Sequence, residues 1–88
     1  MSEHSRREIV REPIFEDSLA LLIRDEERAD EYTAAAEDLL SRAPEMGMPG
    51  EDEVWTLPTS PVGGKAVYLF YTFDAEAVFF IAIIALDE

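Results

Sequence analysis

The sequence predicts an α+β domain in which a helical hairpin packs on one face of a mainly antiparallel sheet, in the order β-α-α-β-β-β. Three observations carry this reading. Apolar residues recur at helical spacing between Phe15 and Ala43. From Val54 onward, β-branched and aromatic runs alternate with short turn segments. A short β-prone stretch at Ile9-Val10 precedes the first helix. With 88 residues, the chain has room for one domain, residues 1–88, of which 1–7 read as a disordered tail.

Glu8 to Ile14 reads as a first strand, interrupted by Arg11 and Glu12, and its poor alternation suggests an edge. Pro13 suits a strand end or the first turn of a helix. Phe15, Leu19 and Leu22 then fall at i, i+4, i+7 and make one helix face, with Glu16 and Asp17 where the helix dipole favours anions. A second periodic set, Ala29, Tyr32, Ala36, Leu39, Leu40 and Ala43, ends at Pro44 and Gly47. Nothing in Arg24 to Arg28 forbids one helix from Phe15 to Ala43. Glu26 falls where the apolar stripe should continue, however, and Asp25 is a fair N-cap, so two helices are expected. Leu39 is expected to pack on the sheet.

Met46 to Glu53 reads as a loop and Val54 to Leu57 as a strand. Pro58 to Gly64 reads as a turn region. Lys65 to Phe73 is an aromatic-rich strand, Asp74 to Glu76 a tight connection, and Ala77 to Leu86 the last strand. That strand is apolar on both sides. Strict alternation places Val78, Phe80, Ala82, Ile84 and Leu86 on one face and Phe79, Ile81 and Ile83 on the other. Helices can cover only one face of the sheet. Burying each large apolar side chain contributes about 1.5–3 kcal/mol, so the second face is expected to bind a partner through Phe79, Ile81 and Ile83. A second copy of the chain, another protein or the N-terminal segment could supply the cover; the alternative is a central strand covered locally by loops.

Charge narrows the partner. Twenty acidic residues stand against seven basic ones, a net charge of −13. Nucleic-acid binding draws on Lys/Arg–phosphate contacts, so a nucleic-acid partner is not expected. Such acidity fits solubility, salt adaptation, a basic partner, or mimicry of a nucleic acid's charge. The absence of cysteine removes disulfides, zinc–cysteine sites and thiol nucleophiles, and a soluble cytoplasmic protein is expected. Residues 1–7 lack the apolar stretch of a secretory leader, and the run Val78 to Leu86 is far short of the roughly 20 residues that span a bilayer.

The order strand, helical hairpin, loop, three-strand meander resembles the RelE/ParE superfamily of bacterial type II toxins. The residues behind the resemblance are the apolar-patterned helix Phe15–Ile23 and a second helix ending in Leu39-Leu40 before Pro44 and Gly47. The strand Val54–Leu57, the aromatic-acidic end Tyr71-Thr72-Phe73-Asp74 and the apolar strand Val78–Leu86 complete it. It covers about Ile9 to Leu86. It implies a toxin of a toxin–antitoxin system, of the kind that includes plasmid-stabilisation modules, held by an antitoxin segment. RNases of that family carry Arg and Lys on the sheet, with Tyr or His near the C-terminus, to stabilise charge on the scissile phosphate. Here the sheet carries Lys65 beside a turn, and the last strand has no Arg, Lys or His. ParE-type members act on DNA gyrase and do not need that constellation.

No catalytic residue, metal site or cofactor is expected. His4 is the single histidine and sits in the tail. Asp25-Glu26-Glu27 and Glu51-Asp52-Glu53 read as solvated acids, and the latter lack the spacing of a calcium loop. Gly63-Gly64-Lys65 reads as a hairpin turn, not a phosphate loop. Trp55, Tyr68, Phe70, Tyr71 and Phe73 could stack on bases, but without interleaved cations core packing is the better account. Tyr68 and Tyr71 have opposite parity and should face opposite ways. The expected function is a toxin-fold protein acting through protein binding, without RNA cleavage. The alternative is a non-enzymatic acidic interaction module or homodimer with no toxin activity.

Overall fold

The computed structural model describes residues 6–86. The element order is β1 (Glu8–Arg11), α1 (Pro13–Leu22), α2 (Glu26–Arg42), β2 (Met48–Pro49), β3 (Trp55–Val62), β4 (Lys65–Phe73) and β5 (Ala77–Leu86), with single 3₁₀ turns at Pro44–Met46 and Glu51–Glu53. The five strands form one sheet in the order β1-β5-β4-β3-β2. β1 runs parallel to β5, and every other pair is antiparallel. Of the expected disordered tail, residues 1–5 lie outside the described residues. Arg6 pairs with Asp38, and the Arg7 amide donates to the Ser41 carbonyl at 2.8 Å.

Local chemistry explains the helix ends. Pro13 opens α1, where its missing N–H costs nothing. The chain leaves helical geometry at Ile23, and the Asp25 carboxylate accepts a 3.1 Å hydrogen bond from the Glu27 amide to start α2. The two-helix reading therefore holds. Phe15 and Leu19 of α1 and Ala29 and Leu40 of α2 meet Val67, Leu69 and Tyr71 of β4 and Val78, Phe80 and Ile83 of β5 in one core. The Phe15 and Phe80 rings meet edge-to-face at 5.2 Å. Leu40, not Leu39, is the fully buried leucine of α2, and Leu39 is half-buried against the β3 side.

Two elements differ from expectation. β3 runs on through Pro58 and Pro61 to Val62, where the sequence reads as a turn. β2 covers only Trp55 and Thr56, so the outer side of β3 is an edge beyond that point, and a proline there removes no ladder bond. The register shifts between Thr59 and Val62. The turn itself shrinks to Gly63 and Gly64, both at positive φ (60° and 81°), as a two-residue hairpin turn requires. The second difference is β2 itself, a two-residue strand inside the expected loop.

After α2, the chain is locked to the sheet by Tyr71. Its hydroxyl donates to the Pro44 carbonyl at 2.5 Å and accepts from the Gly47 amide at 3.1 Å. Burial pushes this hydroxyl above the ordinary phenol range, against the opposing pull of the Gly47 N–H.

Candidate partner-binding face

Both helices lie on one side of the sheet, and the residues of opposite parity form an open face. On β4 the core side takes Val67, Leu69 and Tyr71, which leaves Ala66, Tyr68, Phe70 and Thr72 for the open side. Tyr68 and Tyr71 thus face opposite ways, as their parity requires. The aromatic residues divide along the same line. Trp55, Tyr71 and Phe73 pack together on the helix side, with Trp55 and Phe73 centroids 5.3 Å apart, while Tyr68 and Phe70 stand on the open side.

β5 does not keep strict alternation. Phe70 pairs with Ala82 and Tyr71 with Phe80, so Ile81 has no partner on β4 and forms a β-bulge. The extra residue reverses the parity of everything after it. Val78 and Phe80 before the bulge, and Ile83 after it, all reach the helix-side core. Ile83 is 4% exposed, which corrects its expected place beside Phe79 and Ile81. Ile84 and Leu86, 42% and 51% exposed, take the open side in its stead. Phe79 and Ile81 remain there, half-buried. Nine apolar residues in succession offer no alternation to read, so the bulge left no signal in the sequence.

The bulge is matched from outside the sheet. β1 leaves β5 after Arg11, and the Glu12 amide still reaches the Phe80 carbonyl at 3.0 Å. Beyond that point the Ile83 amide donates to the Ser18 hydroxyl of α1 at 3.1 Å, and that hydroxyl donates to the Phe15 carbonyl at 3.0 Å.

The open face is apolar and carries almost no charge. Val10 and Glu8 represent β1, and Thr56 and Pro58 represent β3. Among the described residues no Arg, Lys or His occupies an open-side position on β3, β4 or β5. Arg11, the cation of β1, shares its parity with core-facing Ile9 and turns toward the helices. Its Nε and Nη2 donate to one Glu37 oxygen at 2.9 and 2.7 Å, and Nη2 also reaches the Thr33 hydroxyl at 2.8 Å. This tie fastens β1 to α2.

The acidic runs have structural places. Asp25 caps α2, and Glu51–Glu53 form a turn with Asp52 and Glu53 at positive φ. The Asp74 carboxylate accepts from the Glu76 and Ala77 amides at 2.8 and 2.9 Å, which closes the β4–β5 turn. Those amides hold it below the usual carboxylate range. Among the described residues no group of three His, Cys, Asp or Glu is placed to hold a metal ion. No helix among them is long and apolar enough to cross a membrane. His4 lies outside the described residues.

No protein-family model matches the chain, and no curated protein does either. Among solved structures, it is similar to a chain of the toxin–antitoxin complex RelBE2 from Mycobacterium tuberculosis, with a TM-score of 0.71 and the full length of each of the two compared chains covered. The two chains share a fold. Sequence identity is 16%, so what is shared is the backbone architecture.

Proposed function

We propose that the chain is a toxin-fold protein of a toxin–antitoxin-type system and acts by binding a protein on its open sheet face, without cutting RNA. The carrying observation is that face: Phe79, Ile81, Ile84 and Phe70 offer apolar area with no interleaved cation. A phosphoryl-transfer site needs preorganised positive charge or hydrogen-bond donors where anionic charge develops, and among the described residues this face offers none from Arg, Lys or His. A protein partner needs an apolar centre with a polar rim, which the face does offer. The solved structure that shares the fold is a toxin–antitoxin complex, which favours a proteinaceous partner such as an antitoxin here too. The net charge of −13 disfavours nucleic acid and a second identical copy alike.

Inducible expression in a bacterial host tests this reading, with growth and messenger RNA followed together. Growth arrest with intact messenger RNA is expected, and Phe79→Glu with Ile84→Glu should relieve it while the purified variant keeps its circular-dichroism spectrum. Cleaved messenger RNA, normal growth, or arrest that survives the double substitution would each sink the proposal. Sedimentation at micromolar concentration separates the homodimer alternative, which requires self-association through the same residues.

A further inference from the structure

Cations are scarce in this chain, and most have partners. Arg6 and Arg42 hold Asp38. Arg7 donates to the Asp74 carbonyl and lies over the Phe73 ring, and Arg11 is tied to Glu37. Lys65 is engaged as well. Arg24 and Arg28 differ. Neither makes a hydrogen bond or ion pair among the described residues, although Asp25, Glu26 and Glu27 lie between them.

Both arginines line one crevice of about 440 Å³. It lies between the α1–α2 junction and the β3–β4 turn, on the helix side of the sheet. Leu22, Ile23 and Val62 supply apolar wall, and Gly63 sits at the rim. The wall is fixed in place: the Tyr32 hydroxyl of α2 is hydrogen-bonded to the Thr59 hydroxyl at 2.6 Å and donates to the Ser60 carbonyl. The one acid in the lining, Asp25, is committed to the Glu27 amide at the start of α2. The crevice therefore combines two unpaired guanidinium groups with apolar wall, in a protein that is otherwise strongly negative.

We infer that this crevice binds an acidic peptide segment of a partner protein, with a carboxylate on Arg24 and Arg28 and a neighbouring bulky apolar side chain against Leu22, Ile23 and Val62. Guanidinium groups match carboxylates with paired, charge-assisted hydrogen bonds. The apolar wall rewards a peptide over a free anion. A polyanionic nucleic acid fits poorly, because two cations neutralise few phosphates and the surrounding acids repel the rest. The site stands on the far side of the sheet from Phe79 and Ile81 and does not depend on the role proposed for them.

A displayed library of random heptapeptides tests it, selected at low salt on the full-length chain and in parallel on the Arg24→Gln, Arg28→Gln variant. Both side chains are exposed, so the variant should keep the parent's melting temperature, and any change in selection then reports binding. Enrichment of Asp or Glu beside Leu, Phe or Ile on the parent alone is expected. A synthetic peptide of the enriched sequence should shift the Gly63 amide and the arginine Nε–H signals in NMR spectra. Its affinity should fall at least about tenfold when its acid becomes the amide, a loss on the scale of one charge-assisted contact. Identical enrichment on both proteins, no enrichment, or shifts confined to Phe79 and Ile84 would overturn the inference. So would a six-nucleotide single strand that binds the crevice as tightly as the peptide, or peptide-free signals at Gly63 that move with protein concentration, which would mark a second copy as the occupant.

Discussion

The Ser18 hydroxyl accepts a 3.1 Å hydrogen bond from the Ile83 amide and so completes the sheet at the point where β1 has left it. A side chain of α1 does the work of a strand. Ser18→Ala should leave that amide without its partner and cost about 1–3 kcal/mol, the range for an unmet buried donor. Urea denaturation of the variant checks this. A change below about 0.5 kcal/mol would mean that water replaces the hydroxyl at this position.

Gly47 is confined by Tyr71. A Cβ at Gly47 would overlap the Tyr71 hydroxyl and come within 2.8 Å of the Thr56 carbonyl. Gly47→Ala should therefore destabilise the fold by about 1–3 kcal/mol through overpacking. Tyr71→Phe should cost about 1–3 kcal/mol by a different route, since it strips a partner from both the Pro44 carbonyl and the Gly47 amide. The double variant should lose less than the sum, because removing the hydroxyl relieves part of the overlap. A double-mutant cycle by thermal melting measures the coupling, and strict additivity would show that the two residues act independently.

The extent to which this architecture is legible in the sequence depends on the kind of signal each element carries. Helix spacing marks Phe15 and Leu19, and the Asp25 cap separates the helices, because period and capping are local properties. Pro58 and Pro61 suggested a turn because proline is unwelcome in a paired strand, and only the tertiary position of β3 at an edge removes that objection. In α2, adjacent Leu39 and Leu40 both fit the apolar stripe, and which of them is fully buried depends on how the helix is rotated on the sheet. The open face follows from a last strand that is apolar on both sides. Its membership beyond Ile81 does not, since a bulge in an unbroken apolar run changes no residue pattern. Arg24 and Arg28 read as ordinary surface charge until the fold brings the β3–β4 turn beside them.

Stability should carry an acid-side signature from two carboxylates. Hydrogen bonds from Arg6 and Arg42 hold Asp38 below the ordinary carboxylate range, and the Glu76 and Ala77 amides do the same for Asp74. Each group binds its proton less readily folded than unfolded. Its stabilising effect is therefore complete above the unfolded value and disappears as pH falls through the lower folded one. Over the same acid range the other carboxylates lose charge and relieve self-repulsion in this very acidic chain. The contribution of these two groups is therefore best seen as a difference. Asp38→Ala and Asp74→Ala should melt below the parent at neutral pH, and the gap should begin to close only below about pH 4, near the ordinary carboxylate pKa. Melting curves taken between pH 2 and 7 decide it. A gap that narrows between pH 7 and 5 would assign the effect to other groups.

Ile81 and Ile83 test the bulge directly. Without it they would share a face and respond alike to truncation. With it, Ile83 lies in the core at 4% exposure, and Ile81 stands on the opposite side without a partner on β4. Ile83→Ala should then cost about 2–5 kcal/mol, from lost burial and the cavity left beneath α1. Ile81→Ala removes a half-buried side chain from a face that the helices leave uncovered, and its cost should be less than half as large. Chemical denaturation of the two variants side by side gives the comparison. Equal losses would restore strict alternation along β5 and return Ile83 to the open face, and an inverted order would place the helices on the other side of the sheet. The same pair separates stability from binding. If Ile81→Ala weakens capture of a protein partner while leaving the fold nearly as stable as the parent, the open face has a function apart from its part in folding.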